Sequence, residues 1–133
     1  FLCMFFIAYI NSLDSSNIWL IPPFGASLVL VMAVQDSPLA QPRNVFFGHI
    51  FSALSGVIMF YFLGVSPLSI SLGMALAILI MMITKTIHPP AGANPVIAIL
   101  GAKTFEFVII PVAIGASFIV IFAYIYNKIW KRN

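Results

Sequence analysis

The chain has 133 residues, of which 62% are hydrophobic and 7% charged, with a net charge of +3 and a mean hydropathy of +1.14. A water-facing surface needs roughly a quarter of all residues charged, and six Lys or Arg with three Asp or Glu cannot coat a globule of this size. Composition therefore excludes a soluble domain, the scattered basic residues exclude a nucleic-acid patch, and the solvent that fits is lipid. In chain order, residues 1–13 are apolar and read as the end of a membrane span. Phe1 is not an initiator Met and no basic start or cleavage site follows, so the natural chain is expected to begin further upstream, with no signal peptide in this stretch. Cys3 is the single cysteine and allows neither a disulfide framework nor a cysteine metal cluster. Residues 45–63, 68–86 and 107–126 each approach the roughly 20 residues that cross about 30 Å of hydrocarbon as a helix. Two shorter apolar pieces, 24–34 and 91–100, each follow a double proline. At about 1.5 Å per residue they cover half a membrane, and they are expected to be half-helices entered through extended, proline-fixed backbone.

The long segments carry small residues at helical spacing: Gly48, Ser52 and Gly56 on one, Gly73 and Ala77 on the next. In lipid such stripes let helix backbones approach closely, so they read as packing surfaces. Pro111 either opens the last span or kinks it mildly. Trp19, Tyr126 and Trp130 fit interfacial belts.

The two proline-led pieces match each other. Pro22-Pro23-Phe24-Gly25-Ala26-Ser27 aligns with Pro89-Pro90-Ala91-Gly92-Ala93-Asn94 at an offset that also carries Gly48 onto Gly115 and Phe51 onto Phe118. The expected fold is all-α: a polytopic transmembrane helical bundle in one domain, residues 1–133, built from two repeats of about 1–63 and 68–130. Each repeat would hold two long spans and one short proline-led half-helix. If each short helix and its lead-in cross the membrane, Arg43, Lys85, Lys128, Lys131 and Arg132 fall on one side and Lys103 on the other. That asymmetry obeys the positive-inside rule and puts the C-terminus in the cytoplasm. Three crossings per repeat then make the repeats inverted.

Inverted repeats with broken helices point to a transport site. The half-helix N-termini would meet near the middle, each presenting unpaired N–H groups and about half a positive charge. Gly25, Ala26, Gly92 and Ala93 leave room for an anion to approach the backbone, while Ser27 and Asn94 add hydrogen-bonding groups. Asn94 is the strongest single candidate, since an amide there can both cap the backbone and bind a ligand. His88 is either a polar helix end near the interface or a pH-sensitive partner for an anion or proton. Lys85 either snorkels to the headgroups or attracts the anion. Arg43 and Asn44 are accessory candidates in a loop whose charge topology alone can explain. His49 is another accessory candidate, with a core hydrogen bond as its first reading. No nucleophile–base pair, carboxylate pair, phosphate loop or metal-ligand set is present, so neither enzyme activity nor a metal nor a cofactor is expected.

The stretch Ile87-His88-Pro89-Pro90-Ala91-Gly92-Ala93-Asn94-Pro95 resembles the signature of the HPP family of integral membrane proteins. Pro22 to Ser27, Ser37-Pro38-Leu39-Ala40-Gln41-Pro42-Arg43-Asn44 and Gly48-His49 also resemble it. The resemblance implies four transmembrane helices, which fits if the short pieces are left uncounted. It also implies nitrite as a substrate, since plastid and cyanobacterial members are associated with nitrite transport, and a bacterial inner membrane as the location. The expected function is a transporter or channel for a small inorganic anion, in a homo-oligomer because so small a chain leaves little room for a pore and its gates. The rivals are a neutral-solute or water channel, and a membrane sensor or scaffold that transports nothing.

Overall fold

The computed structural model describes residues 1–14 and 18–129, and these form helices joined by turns and loops. Trp130, Lys131 and Arg132 lie outside the described residues. The helices are α1 (Leu2–Leu13), α2 (Pro22–Ala33), α3 (Pro42–Leu63), α4 (Pro67–Ile83), α5 (Asn94–Leu100) and α6 (Val108–Ile129). A 3₁₀ turn at Pro38–Ala40 precedes α3, and a second at Pro89–Ala93 leads directly into α5. Two of the helices, α3 and α6, are long and apolar enough to cross a membrane.

Proline opens α2, α3, α4 and both 3₁₀ turns. The placement is chemically economical: the first turn of a helix has N–H groups with no partner, and proline lacks the N–H while already holding the helical φ. It also corrects one expectation. Pro22 and Pro89 stand inside the first helical turn, and the extended residue is the one before each, Ile21 and His88, because a following proline disfavours the helical region. The second long segment is shorter than expected as well. It leaves the helix at Thr84, where Lys85 turns left-handed at φ 55° and Thr86 N–H reaches back to the Met81 carbonyl. In α6 the first six residues, Val108–Ala113, form a wider π-type coil in which Ile110 leaves helical geometry just before Pro111. The disturbance is local, and the helix continues to Ile129.

Contacts set the helix directions. Arg43 at the start of α3 bonds the Thr84 carbonyl at the end of α4, so these two run antiparallel. Asn127 near the end of α6 bonds the Val31 carbonyl near the end of α2. Gln35, Gln41, Pro42 and Lys128 share one cavity, so the ends of α2 and α6 meet the start of α3. At the other end Lys103, just past α5, shares a cavity with Phe107 and Pro111. The two short helices therefore run apart, α2 toward the Arg43 end and α5 toward the Lys103 end.

The short helices pack against the long ones: α5 lies on α3 and on α4, where Gly73 meets Ile99 and Pro95, and α2 lies on α6. Gly56 of α3 lies against Pro95 and Ala98 of α5, and Gly48 lies against His88 and the Thr86 carbonyl. Gly115 of α6 lies against the ring of Phe24 on α2. The small-residue stripe is thus a seat for the second proline-led segment. The burial pattern is inside-out for water. Ser27, His49, Ser52, Ser69, His88 and Asn94 are fully buried, while Tyr61, Phe62, Leu68, Ile83, Ile109 and Ile129 are exposed. An outer surface of large apolar side chains, over an apolar core that encloses a few polar groups, suits hydrocarbon.

Close contact at Gly56 has a measurable consequence. A Cβ there would stand 2.5 Å from Pro95 Cα and 3.0 Å from its carbonyl, both backbone atoms, so Gly56→Ala is expected to lower stability by about 1–3 kcal/mol. Gly92→Ala, with no atom within 4 Å, is expected to change it by less than about 0.5 kcal/mol. Denaturant titration in detergent compares the two; equal effects would refute the close seating of α5 on α3.

Candidate functional site

The second turn of α2 and the first residue of α5 meet at a cluster of buried polar side chains built around His49. This residue lies seven positions into α3, about 10 Å from its start at about 1.5 Å per residue, and is 0% exposed. Ser27 Oγ stands 2.7 Å from His49 Nε2 and 2.8 Å from His88 Nε2. Asn94 Nδ2 stands 2.9 Å from His49 Nδ1 and 3.1 Å from the His49 carbonyl. Ser27 and Asn94 occupy equivalent positions of the two proline-led motifs, so His49 is held at one ring nitrogen by each motif. His88 Nδ1 reaches the Leu39 carbonyl at 2.8 Å, and the two imidazoles lie 5.2 Å apart, centre to centre. Phe24 closes the cluster, edge-on to His49 at 5.3 Å. Ser52 Oγ donates to the Ala91 carbonyl at 2.6 Å, which ties α3 to the second motif.

Carbonyl oxygens only accept, and that fixes the proton positions. The Leu39 carbonyl makes His88 Nδ1 a donor. The His49 carbonyl places the Asn94 amide nitrogen, and not its oxygen, beside His49. His49 Nδ1 then accepts from Asn94, so a neutral His49 carries its proton on Nε2 and donates to Ser27. Asn94 Oδ1 is left as a buried acceptor without a hydrogen-bond partner among the described residues.

The other sequence candidates divide cleanly. Ser27, His49, His88 and Asn94 come together. Gly25 and Gly92 are half-buried with no atom within 4 Å of an added Cβ, and Ala26 and Ala93 are exposed beside them. Asn44 donates to the Ile87 carbonyl at 3.0 Å and Arg43 to the Thr84 carbonyl at 3.2 Å, so both brace the segment that carries His88. Lys85 is exposed and, since α4 has already ended, shares no helix face with His88. The motif N–H groups offer little to a ligand. The prolines have none, while Phe24 N–H bonds the Ile21 carbonyl and Ala91 N–H the His88 carbonyl, each at 3.0 Å. The site's polarity lies in side chains. Among the described residues no three His, Cys, Asp or Glu side chains gather as metal ligands. Asp14 holds Trp19 Nε1 at 2.8 Å, Asp36 lines the cavity with Lys128, and Glu106 that with Lys103.

Sequence reasoning did not find the Leu39 carbonyl, Phe24 or the role of Ser52. Leu39 and Phe24 are unremarkable as residue types. The signal for Ser52 was its place on the stripe, one turn from Gly48 and from Gly56.

Two transmembrane proteins of Dictyostelium discoideum are similar to this chain. One is 33% identical over 135 residues, covering 96% of this chain and 47% of the relative. The other is 35% identical over 133 residues, covering 94% of this chain and 43% of the relative. The chain thus spans less than half the length of these relatives. No solved structure matches it. The transmembrane region of the HPP family matches residues 1–133, with the buried His88 leading its His-Pro-Pro, and this membrane protein belongs to that family.

Proposed function

We propose that the protein is a membrane transporter or channel for a small inorganic anion, nitrite being the first candidate, and that the solute passes the Ser27–His49–His88–Asn94 cluster. One observation carries the reading. A fully buried polar cluster, reached by the first residue of α5 and by the second turn of α2, is joined by none of the described carboxylates. No fixed negative charge there repels an anion, and Gly25 and Gly92 leave space beside it. Nitrite itself rests on the family resemblance.

The same reading treats the chain as two inverted repeats. The opposite directions of α2 and α5 support it, as does the exchange of partners between halves. Arg43 and Lys128 lie at one end and Lys103 at the other, so the positive-inside rule puts the Arg43 end in the cytoplasm. Exposed Ala26 and Ala93, beside the cluster, favour a homo-oligomer that covers them, in a bacterial plasma membrane. No catalytic step and no cofactor belong to this proposal.

A second reading has one observation in its favour. Asn94 Oδ1 is a buried acceptor, which suits a solute that donates a hydrogen bond, so a channel for water or a small neutral solute is the alternative. Flux through liposomes separates the two. Purified protein is expected to give saturable nitrite flux, reduced at least about tenfold in Asn94→Asp, where a carboxylate repels the anion at a nearly isosteric position. Glycerol flux that survives Asn94→Asp, with no nitrite flux in the parent, would sink the anion reading. Absence of any flux in folded, inserted protein would point to a sensor or scaffold.

Topology is tested at repeat-equivalent positions. Ser37 and Thr104 follow the two short helices at the same offset as the motifs. In a Cys3→Ala background, Ser37→Cys and Thr104→Cys are expected to react with an impermeant maleimide from opposite faces of sealed vesicles. Labelling from one face would end the inverted-repeat arrangement.

A further inference from the structure

We infer that His88 and Ser27 form a proton-binding site, one proton short when both histidines are neutral, and that the proton is taken up together with the anion. The anion half rests on the transport reading above; the proton half stands on geometry alone.

The argument is a count of hydrogens. Five contacts at hydrogen-bond distance run through the cluster: Asn94 Nδ2 to His49 Nδ1, His49 Nε2 to Ser27 Oγ, Ser27 Oγ to His88 Nε2, His88 Nδ1 to the Leu39 carbonyl, and Ser27 Oγ to the Pro23 carbonyl. Each needs one hydrogen. With neutral imidazoles the available donors are one N–H of Asn94, Nε2–H of His49, the hydroxyl of Ser27 and Nδ1–H of His88. The Ser27 hydroxyl then faces two acceptors, His88 Nε2 at 2.8 Å and the Pro23 carbonyl at 2.9 Å, and can serve only one.

A proton on His88 Nε2 resolves the conflict. His88 then donates from both nitrogens, to Ser27 and to Leu39. Ser27 accepts from both histidines and turns its own hydrogen onto the Pro23 carbonyl. All five contacts are made at once, with no heavy atom displaced. Loss of the proton reverses the rotation. The serine hydroxyl is therefore a two-position element that reports the charge of His88 to the first turn of α2.

His88 is the member that gains the proton, since His49 is fixed as an acceptor at Nδ1 and a donor at Nε2. The groups around the pair bring no compensating negative charge. From α2 comes Ser27, from α3 His49 and the Arg43 guanidinium on the Thr84 carbonyl, and beyond α4 the exposed Lys85. Asp36 and Lys128 line the cavity beside the Pro38–Ala40 turn, and Lys128, Tyr124 and Asn127 come from α6. A proton buried without a carboxylate calls for an anion, and an anion at the cluster calls for that proton. Each ligand strengthens the other by the same factor.

Only two histidines are present, so tag-free protein labelled with ¹⁵N-histidine gives two imidazoles in a solid-state NMR spectrum, and His88→Gln assigns them. As the pH is lowered, His88 is expected to pass from one protonated nitrogen to two while His49 stays neutral. Sodium nitrite is expected to move that passage toward higher pH. Ser27→Ala is expected to make the passage need on the order of tenfold more acid, because the imidazolium loses a charge-assisted acceptor, and Ser27→Thr to restore it. A His88 that keeps one protonated nitrogen under all these conditions overturns the proposal, as does one indifferent to Ser27→Ala. A passage unaffected by nitrite overturns the coupling to the anion, independently of the proton site.

Discussion

A buried imidazole in lipid has no water to turn to, and the architecture follows from how His49 is satisfied. Its two ring nitrogens need partners from opposite sides, and they come from Ser27 and Asn94, one from each proline-led motif. To bring both motifs to one ring, the second must lie against α3 at van der Waals distance. This is why Gly48 and Gly56 face His88 and Pro95, and why Ser52 offers a hydroxyl to the Ala91 carbonyl. Arg43 and Asn44 complete the brace from the end of α3 by holding the carbonyls of Thr84 and Ile87. The histidine is the joint between the halves.

Much of this was legible in the sequence, for identifiable reasons. Hydropathy and length locate apolar helices well, and the double prolines mark where short ones begin, so each expected segment matches an observed helix within a few residues. The equivalence of Ser27 and Asn94 also came from the sequence, because a shared register is a strong signal. The faces did not. In a uniformly apolar helix such as α3, no polar–apolar alternation shows which side meets the protein. His49 therefore read as an accessory candidate with a core hydrogen bond first, and its two partners could not be named. Lys85 stands exposed at the end of α4, where a left-handed residue breaks the helical spacing toward His88. The Leu39 carbonyl lay beyond reach, since any residue type can supply a backbone oxygen.

The chemistry at the cluster is set as much by what surrounds it as by its members. A carboxylate beside the pair would hold a proton permanently as an ion pair and make it a structural feature. The described acids instead lie elsewhere: Asp14 with Trp19, Asp36 and Glu106 in cavities shared with lysines. No described carboxylate fixes the charge state of the pair. The unpartnered Asn94 Oδ1 belongs to the same logic. A buried acceptor without a donor costs about 1–3 kcal/mol, a penalty that an occupant bearing a hydrogen removes.

The exchange of partners between halves also bears on how the chain assembles. Phe24 needs Gly115 of α6, and Val31 needs Asn127, 96 residues further on. When α2 leaves the ribosome, neither partner has been made, and its own long neighbour α3 cannot supply them. Ser27 has the Pro23 carbonyl and His49 within reach from the start, whereas Phe24 and Val31 wait for the last helix. Closure is a single late event, in which α6 caps α2 and the cluster is sealed. The packing of α2 is thus completed by the last part of the chain, and a chain cut before Gly115 lacks both contacts.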